Sequence, residues 1–370
     1  MDKRALFATR PACFRKVSTV PGCRDSSATG RIINFSYYNT NLMNYRKLGK
    51  TGFSVSEISL GTWQVGGKWG DPFSHDNADH ILNAAADAGI NFIDTADVYS
   101  DGESEKAVGR LVRSRSEQIY VATKCGRQLN PHVADAYQPA VLRQFVEDSL
   151  RRMQLDTLDL VQLHCPPTEV YYRPEVFELF DRLQEEGKIR HLGVSVEKVE
   201  EGLKAIEFPN VTTVQLIFNM FRQRAPELLF KEAARRDVGI IVRVPLASGL
   251  LTGKFSAQTS FSADDHRNFN RNGEAFDKGE TFAGVDYETG LAAVEELKTA
   301  LPGQPQLAAL ALRWILMFDE VSCVIPGASR PEQIISNLQA ADLPALTQEQ
   351  MQAVREVYDR KIKPLVHYTW

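Results

Sequence analysis

Eight short apolar runs, each followed by a stretch of helical periodicity, recur between residues 58 and 340. The runs are Ile58–Thr62, Asn91–Asp94, Ile119–Thr123, Leu158–Leu163, Ile189–Val194, Val211–Leu216, Ile240–Val244 and Val321–Ile325. They are continuous rather than alternating in polarity. Strands read this way when both faces of a parallel sheet are covered. The stretches between them predict helices near 76–88, 104–112, 139–153, 174–186, 197–206, 226–236, 288–300, 306–317 and 331–340. Eight such units over roughly 250–300 residues point to a closed (β/α)8 TIM barrel. A doubly wound open sheet is the competitor, but no GxGxxG follows the first run. Ahead of the barrel, Tyr45–Leu48 and Phe53–Ser56, joined through Gly49–Gly52, predict an N-terminal β-hairpin. Beyond it, extra C-terminal helices are expected, with Gln348 to about Tyr358 the last. For the tail from Val366 to Trp370 a frayed end is the default and a fold over the barrel mouth the alternative.

Two domain-level segments follow, an extension over 1–44 and a barrel domain over 45–370. The extension carries Lys3, Arg4, Arg10, Arg15, Lys16, Arg24 and Arg31 against Asp2 and Asp25, with frequent Ser and Thr and no apolar period. It reads as a disordered extension or an over-extended start, with Met43 as the natural alternative start, or else as an organelle-targeting segment. The net charge of -4 gives no global reason to expect nucleic acid or an anionic membrane as partner. No run approaches the roughly 18 apolar residues of a membrane span. Five scattered cysteines without a CxxC pair speak against a zinc site or a disulfide framework. A cytoplasmic, reducing compartment is the expectation.

In such a barrel the residues at the carboxyl ends of the strands form the active site. Those residues are Trp63, then Asp94 and Tyr99, then Lys124, His164, Ser195 and Gln215, then Arg243 to Leu246, and finally Pro326 to Arg330. Asp94, Tyr99, Lys124 and His164 make a proton-transfer set. A tyrosine has a pKa of about 10, and a neighbouring ammonium is expected to lower it. Lys124 supplies that charge, and Asp94 keeps Lys124 charged and oriented. His164 can donate to a substrate oxygen or tune Tyr99. The set can protonate a carbonyl oxygen while another group adds to its carbon. Neither HxH nor HExxH occurs, so no metal is expected. Alone, each residue has a plainer reading: a structural histidine, a solvated strand-end lysine, a core tyrosine, a helix-capping aspartate. Their coincidence at one end of one barrel argues for chemistry.

The stretch Asp94-Thr95-Ala96-Asp97-Val98-Tyr99, followed by Thr123-Lys124 and Gln162-Leu163-His164, resembles the motifs of the aldo-keto reductases. The opening Tyr45 to Gly52, Leu60-Gly61-Thr62-Trp63, Gly193-Val194-Ser195, Leu246 to Lys254 and Ile325 to Arg330 resemble further segments of that family, in family order from about Tyr45 to about Tyr358. The resemblance implies NADPH-dependent carbonyl reduction, with NADH as second choice and neither metal nor flavin. Tyr99 would be the acid in reduction, with Asp94, Lys124 and His164 completing the catalytic tetrad. Ser195 and Gln215 would hold the nicotinamide, with Thr62 and Trp63 beside it. The Leu250–Lys254 loop, with Leu250, Thr252 and Lys254, would meet the pyrophosphate, and Leu246 and Ser248 would also contact the cofactor. Ser329 and Arg330 would meet the adenosine 2′-phosphate, with Gln333 and Asn337 near the adenine. An Arg at a helix start suits a phosphate through charge, bidentate bonding and the helix amino end. Arg243 is open between pyrophosphate, a carboxylated substrate and a structural ion pair.

On the substrate side, Trp63, Trp69, Tyr99 and His164 are expected to wall a site for a small-molecule carbonyl. The polar insertion between 255 and 288 is either a lid or a surface loop. The alternatives to a carbonyl reductase are an NAD-dependent sugar or polyol dehydrogenase and a cofactor-binding, redox-sensing regulatory subunit. Nothing in the sequence speaks to the oligomeric state.

Overall fold

The computed structural model describes residues 43–67, 72–302 and 306–370. The segment expected as an extension therefore lies, up to residue 42, outside the described residues, as does Trp69. An antiparallel hairpin, β1 (Tyr45–Lys47) with β2 (Ser54–Ser56), opens the described chain. Eight parallel strands follow: β3 (Leu60–Gly61), β4 (Phe92–Asp94), β5 (Tyr120–Cys125), β6 (Leu158–His164), β7 (Ile189–Ser195), β8 (Val211–Ile217), β9 (Gly239–Arg243) and β10 (Val321–Val324). Each neighbours the next in sequence order.

The barrel closes between its first and last strands. Ser59 N donates to Val324 O at 2.8 Å and Val324 N donates to Glu57 O at 2.9 Å. Bridges Ile58–Val324 and Gly61–Gly327 extend this seam. Glycine is required at Gly61, because a Cβ there would lie 2.9 Å from the Ile325 carbonyl oxygen. The first strand is shorter than the expected Ile58–Thr62, since Ile58 joins the barrel only through a single bridge.

Both strand faces are apolar, for different reasons. Phe92, Ala122, Leu160, Ile241 and Cys323 form one buried cluster with Leu48, Phe53 and Val55 of the hairpin. Their neighbours Ile93, Val121, Val161, Ile240 and Val324 belong to the larger cluster shared with the helices. The first set lines the barrel, the second faces outward, and a period of two separates them. The hairpin seals the amino end: the Phe53 ring stacks on Tyr120, the first residue of β5, with centroids 4.1 Å apart.

Around the sheet run α1 (His75–Asp87), α2 (Glu103–Ser114), α3 (Pro139–Met153), α4 (Pro174–Glu185), α5 (Val199–Ala205) and α6 (Leu229–Arg235). Between β9 and β10 come a long insertion holding the short α7 (His266–Phe269), then α8 (Tyr287–Ala300) and α9 (Leu307–Leu316). The sequence stops after β10 with α10 (Pro331–Asp342), α11 (Gln348–Val357) and α12 (Lys363–Val366). The expected helix 226–236 is split, because Ala225–Glu227 forms a separate 3-10 turn before α6. Among the described residues, no helix is long and apolar enough to cross a membrane.

The tail corrects the expectation of a frayed end. Trp370 is only 7% exposed. Its indole Nε1 donates to Asp277 Oδ1 at 2.7 Å, and the Arg222 guanidinium lies 4.5 Å from its ring centre. Gly284 makes room for it: a Cβ there would sit 2.6 Å from the indole. The tail thus packs on the insertion and holds part of it. Trp370→Ala should lower unfolding stability by about 3 kcal/mol, the usual loss for a buried aromatic, measured by urea unfolding. The same variant should become sensitive to limited proteolysis between residues 256 and 284.

Candidate active site

The period of two that fills the barrel with apolar side chains also builds the site. Two residues beyond Phe92 stands Asp94; beyond Ala122, Lys124; beyond Leu160, Gln162 and then His164; beyond Ile241, Arg243. The inward face turns polar at the carboxyl ends of the strands. Asp94 is the hub. It accepts from Lys124 Nζ at 2.5 Å on one oxygen. Its other oxygen accepts from Gln162 Nε2 at 3.0 Å and Gln215 Nε2 at 2.7 Å. Lys124 Nζ also donates to Thr95 O at 2.8 Å and to the Tyr99 hydroxyl at 3.3 Å. The Asp94–Lys124 pair is almost fully buried, with side-chain exposures of 3% and 1%. Losing one member of such a pair strands the other charge, at about 3–5 kcal/mol.

Tyr99 reaches this cluster from the loop after β4. That loop passes through left-handed Ser100, Asp101 and Gly102 before α2 begins. The phenol lies beside His164, with ring centroids 6.1 Å apart and planes near perpendicular, and beside Trp63 at 6.3 Å. Trp63 stacks in turn on His266 of the insertion at 5.0 Å.

The electrostatics depart from the expectation for Tyr99. Burial raises the phenol's pKa most; Lys124 pulls it down and Asp94 pushes it back up, so the net direction is upward from 10. The carboxylate that holds Lys124 also opposes the ammonium's effect on the phenol. Lys124 itself is disfavoured as a cation by burial, yet Asp94 and Tyr99 together raise its pKa. His164 is held well below its usual range, first by burial and then by Arg127, Lys124 and Arg243, so its imidazole is neutral. The cluster therefore presents a neutral phenol, a neutral imidazole and a charged lysine. A neutral Tyr99 is the state a proton donor needs.

These groups border a cavity of about 580 Å³. Of the residues expected to bind cofactor or substrate, Thr62, Trp63, Tyr99, His164, Gln215, Leu246, Ser248, Thr252, Lys254, Arg330 and Gln333 line it. Lys124 stands behind Tyr99. Ser195, fully buried, contacts Gln215 Oε1 through its hydroxyl at 3.4 Å rather than lining the cavity. The Leu250 side chain is buried in the core. Ser329 and Asn337 also lie off the lining, Ser329 bonding Gln333 Oε1 through its N–H at 2.7 Å. Arg330 is the N-cap residue of α10 and makes no side-chain cap; its side chain is 66% exposed and lies 3.9 Å from the exposed Glu332 carboxylate. An uncapped helix start beside a guanidinium is suited to a phosphate.

Several lining residues were not singled out from sequence. Gln162, which donates to Asp94 without lining the cavity, could also have been found, as the residue two before His164 on the same strand face. Arg127, His266, Arg267, Phe276 and Glu280 come from loops whose path no periodicity reveals. Four of these five belong to the insertion, which therefore forms cavity wall rather than a detached surface loop. Arg243 makes a buried ion pair with Glu197 at 2.8 Å while also lining the cavity.

The profile of the aldo/keto reductase family matches residues 57–359. A protein described as uncharacterized oxidoreductase YqkF, from Bacillus subtilis, is 30% identical over 85% of this chain and 96% of its own length. The NADH-specific methylglyoxal reductase of Escherichia coli is 30% identical over 80% of this chain and 93% of its own. Among solved structures, a glycerol dehydrogenase from Gluconobacter oxydans superposes with a TM-score of 0.69, at 31% identity over 86% of this chain and 96% of that one.

Asp97, in the same loop as Tyr99, generates a separate expectation. It is fully buried, and apart from a contact with the Val98 backbone N–H neither carboxylate oxygen has a hydrogen-bond partner among the described residues. Burial, then the Glu105 carboxylate, raise its pKa from 3.8 to about 7. A raised folded-state pKa means that the protonated form favours folding. The contribution is complete below the unfolded value and is lost as pH climbs through about 7. Asp97→Asn should therefore raise Tm, by more at pH 8 than at pH 5. The gain at pH 8 is on the order of 4 kcal/mol, read by thermal unfolding at the two pH values.

Proposed function

The chain belongs to the aldo/keto reductase family and is an NAD(P)H-dependent oxidoreductase, and from that premise we propose that it reduces aldehyde and ketone carbonyls, sugar-like ones included, with NADPH. The observation that carries this reading is the Tyr99 hydroxyl, 3.3 Å from the Lys124 ammonium and beside a neutral His164, on the wall of a cavity that ends at an uncapped helix and Arg330. The donor set fits a dinucleotide. Gln215, Thr62, Ser248, Thr252, Lys254, Arg267, Arg330 and Gln333 all offer polar atoms to the cavity lining. When bound, the nicotinamide supplies the hydride.

The protein's own groups handle the proton. A carbonyl oxygen within reach of Tyr99 receives the phenolic proton as negative charge develops on it. The Lys124 ammonium, donating to the phenol oxygen, stabilises the phenolate left behind. Asp94 keeps that ammonium charged and fixed, and Gln162 and Gln215 fix Asp94. His164 adds a neutral contact to the carbonyl without competing as an acid. In the reverse direction the phenolate would accept the alcohol's proton. The likeness to a glycerol dehydrogenase makes that direction worth measuring.

Tyr99→Phe should lower kcat for carbonyl reduction by about 10²–10⁴ while cofactor binding persists. Near-normal turnover would remove the acid assignment. Because the phenol's pKa is raised above 10, the reductive rate should stay flat to at least pH 9 while the oxidative rate climbs with pH. Cofactor choice is tested by fluorescence titration with NADPH and NADH. Arg330→Ala should raise KM for NADPH about tenfold and leave that for NADH nearly unchanged. Preference of the unaltered protein for NADH would overturn the NADPH assignment. Tight cofactor retention with slow turnover would favour a redox-sensing role instead.

A further inference from the structure

Beside Tyr99 and His164 the cavity carries an ion pair that the proton-transfer chemistry does not use. Arg127, two residues past β5, contacts Glu280 of the insertion, Nη2 to Oε1, at 2.8 Å. Both line the cavity. The guanidinium also lies 5.6 Å from the Phe276 ring centre. The other Glu280 oxygen is 3.7 Å from Arg243 Nη1, and Arg243 is engaged by Glu197 at 2.8 Å. The pair is close enough to act on the chemistry. Glu280 raises the Tyr99 pKa and Arg127 lowers that of His164.

Glu280 is set in place by its backbone. Its N–H donates to Asp277 O at 3.1 Å, its carbonyl accepts from Ser248 Oγ at 3.1 Å, and Asp277 is in turn held by Trp370. Its carboxyl is kept ionised: burial opposes this, but Arg127 and Arg243 outweigh burial, and the adjoining Glu197 carboxyl, its pKa pushed up to about 8 first by burial, holds the proton between the two. The cavity therefore offers a fixed acceptor and a fixed donor side by side. Trp63 and His266, stacked on each other, form a flat part of the same lining, and Phe276 lies between them and Arg127.

We propose that the Arg127–Glu280 pair is the specificity element of this cavity, selecting neutral carbonyl compounds that carry a hydroxyl near the carbonyl and rejecting those that carry a carboxylate. This rests on the carbonyl-reductase reading above. A hydroxyl donates and accepts at once, so it can donate to Glu280 while accepting from Arg127. The Trp63–His266 face suits the C–H side of such a molecule. A carboxylate can only accept. It would approach Arg127 against the Glu280 charge, which already occupies that guanidinium. An alkyl aldehyde would leave the pair without a ligand partner and gain nothing from it.

The test is steady-state reduction of D-glyceraldehyde, propanal and 4-oxobutanoate by the full chain and by Glu280→Gln and Arg127→Gln. The unaltered protein should prefer D-glyceraldehyde over propanal in kcat/KM by about tenfold or more, and should use 4-oxobutanoate worst. Glu280→Gln should cut the glyceraldehyde-to-propanal ratio about tenfold, mainly through KM, and raise the 4-oxobutanoate-to-propanal ratio by a similar factor. Arg127→Gln should cut the first ratio without raising the second. Equal use of glyceraldehyde and propanal by the unaltered protein, or unchanged ratios in the variants, overturns the proposal while the reductase reading stands. If Glu280→Gln fails to fold by circular dichroism, the Arg127→Gln ratios decide alone. No turnover of any of the three with NADPH or NADH removes the reductase reading and this proposal with it.

Discussion

A single buried carboxylate organises this site. Asp94 takes hydrogen bonds from Lys124, Gln162 and Gln215, which stand on three other strands. A barrel interior is a poor medium for an ammonium, and Lys124 is tolerated there because a carboxylate of opposite charge meets it at contact. Its remaining donors then go to a backbone carbonyl and a phenol. The network is connected throughout, which is the condition under which buried polar groups rigidify a core rather than weaken it. Tyr99 inherits its position from that rigidity.

Burial, and after it the same carboxylate, explain why the simple electrostatic argument for Tyr99 fails in the isolated protein. A lone ammonium at 3.3 Å would favour the phenolate. Here the ammonium comes with its counter-charge, and burial adds to the penalty on a second anion. The pair leaves the tyrosine protonated yet preorganises the charge that a departing proton would need. Stabilisation is thereby reserved for the moment at which negative charge appears on the phenol oxygen.

Much of this was legible in the sequence because barrel strands obey a period of two and short connections. The eight runs, the hairpin and the strand-end positions of Asp94, Lys124 and His164 follow from apolar continuity and its polar interruptions. Three kinds of feature did not. Gln162 shares a strand face with His164, but its bond to Asp94 spans 68 residues and follows from no local pattern. Glu280, Phe276 and His266 lie in a segment without regular periodicity, and their approach to the cavity depends on long-range contacts. Trp370 sits where composition suggests fraying, but its partners Arg222, Asp277 and Gly284 are far away in sequence. Net electrostatic direction was also out of reach, because burial depth is a three-dimensional quantity.

The seam between β3 and β10 carries one more implication. β3 is only two residues long, and the join relies on a few backbone bonds and the close approach at Gly61. Local opening of a fold begins where pairing is thinnest. Thr62 and Trp63 stand on one side of this seam, and Gly327 and Arg330 on the other, and all four border the same cavity. A ligand that touches both sides would act as a staple across the barrel's weakest joint. By mass action its binding would then raise resistance to unfolding, and hydrogen exchange at the Ser59 and Val324 amides would report occupancy of a pocket they do not themselves line.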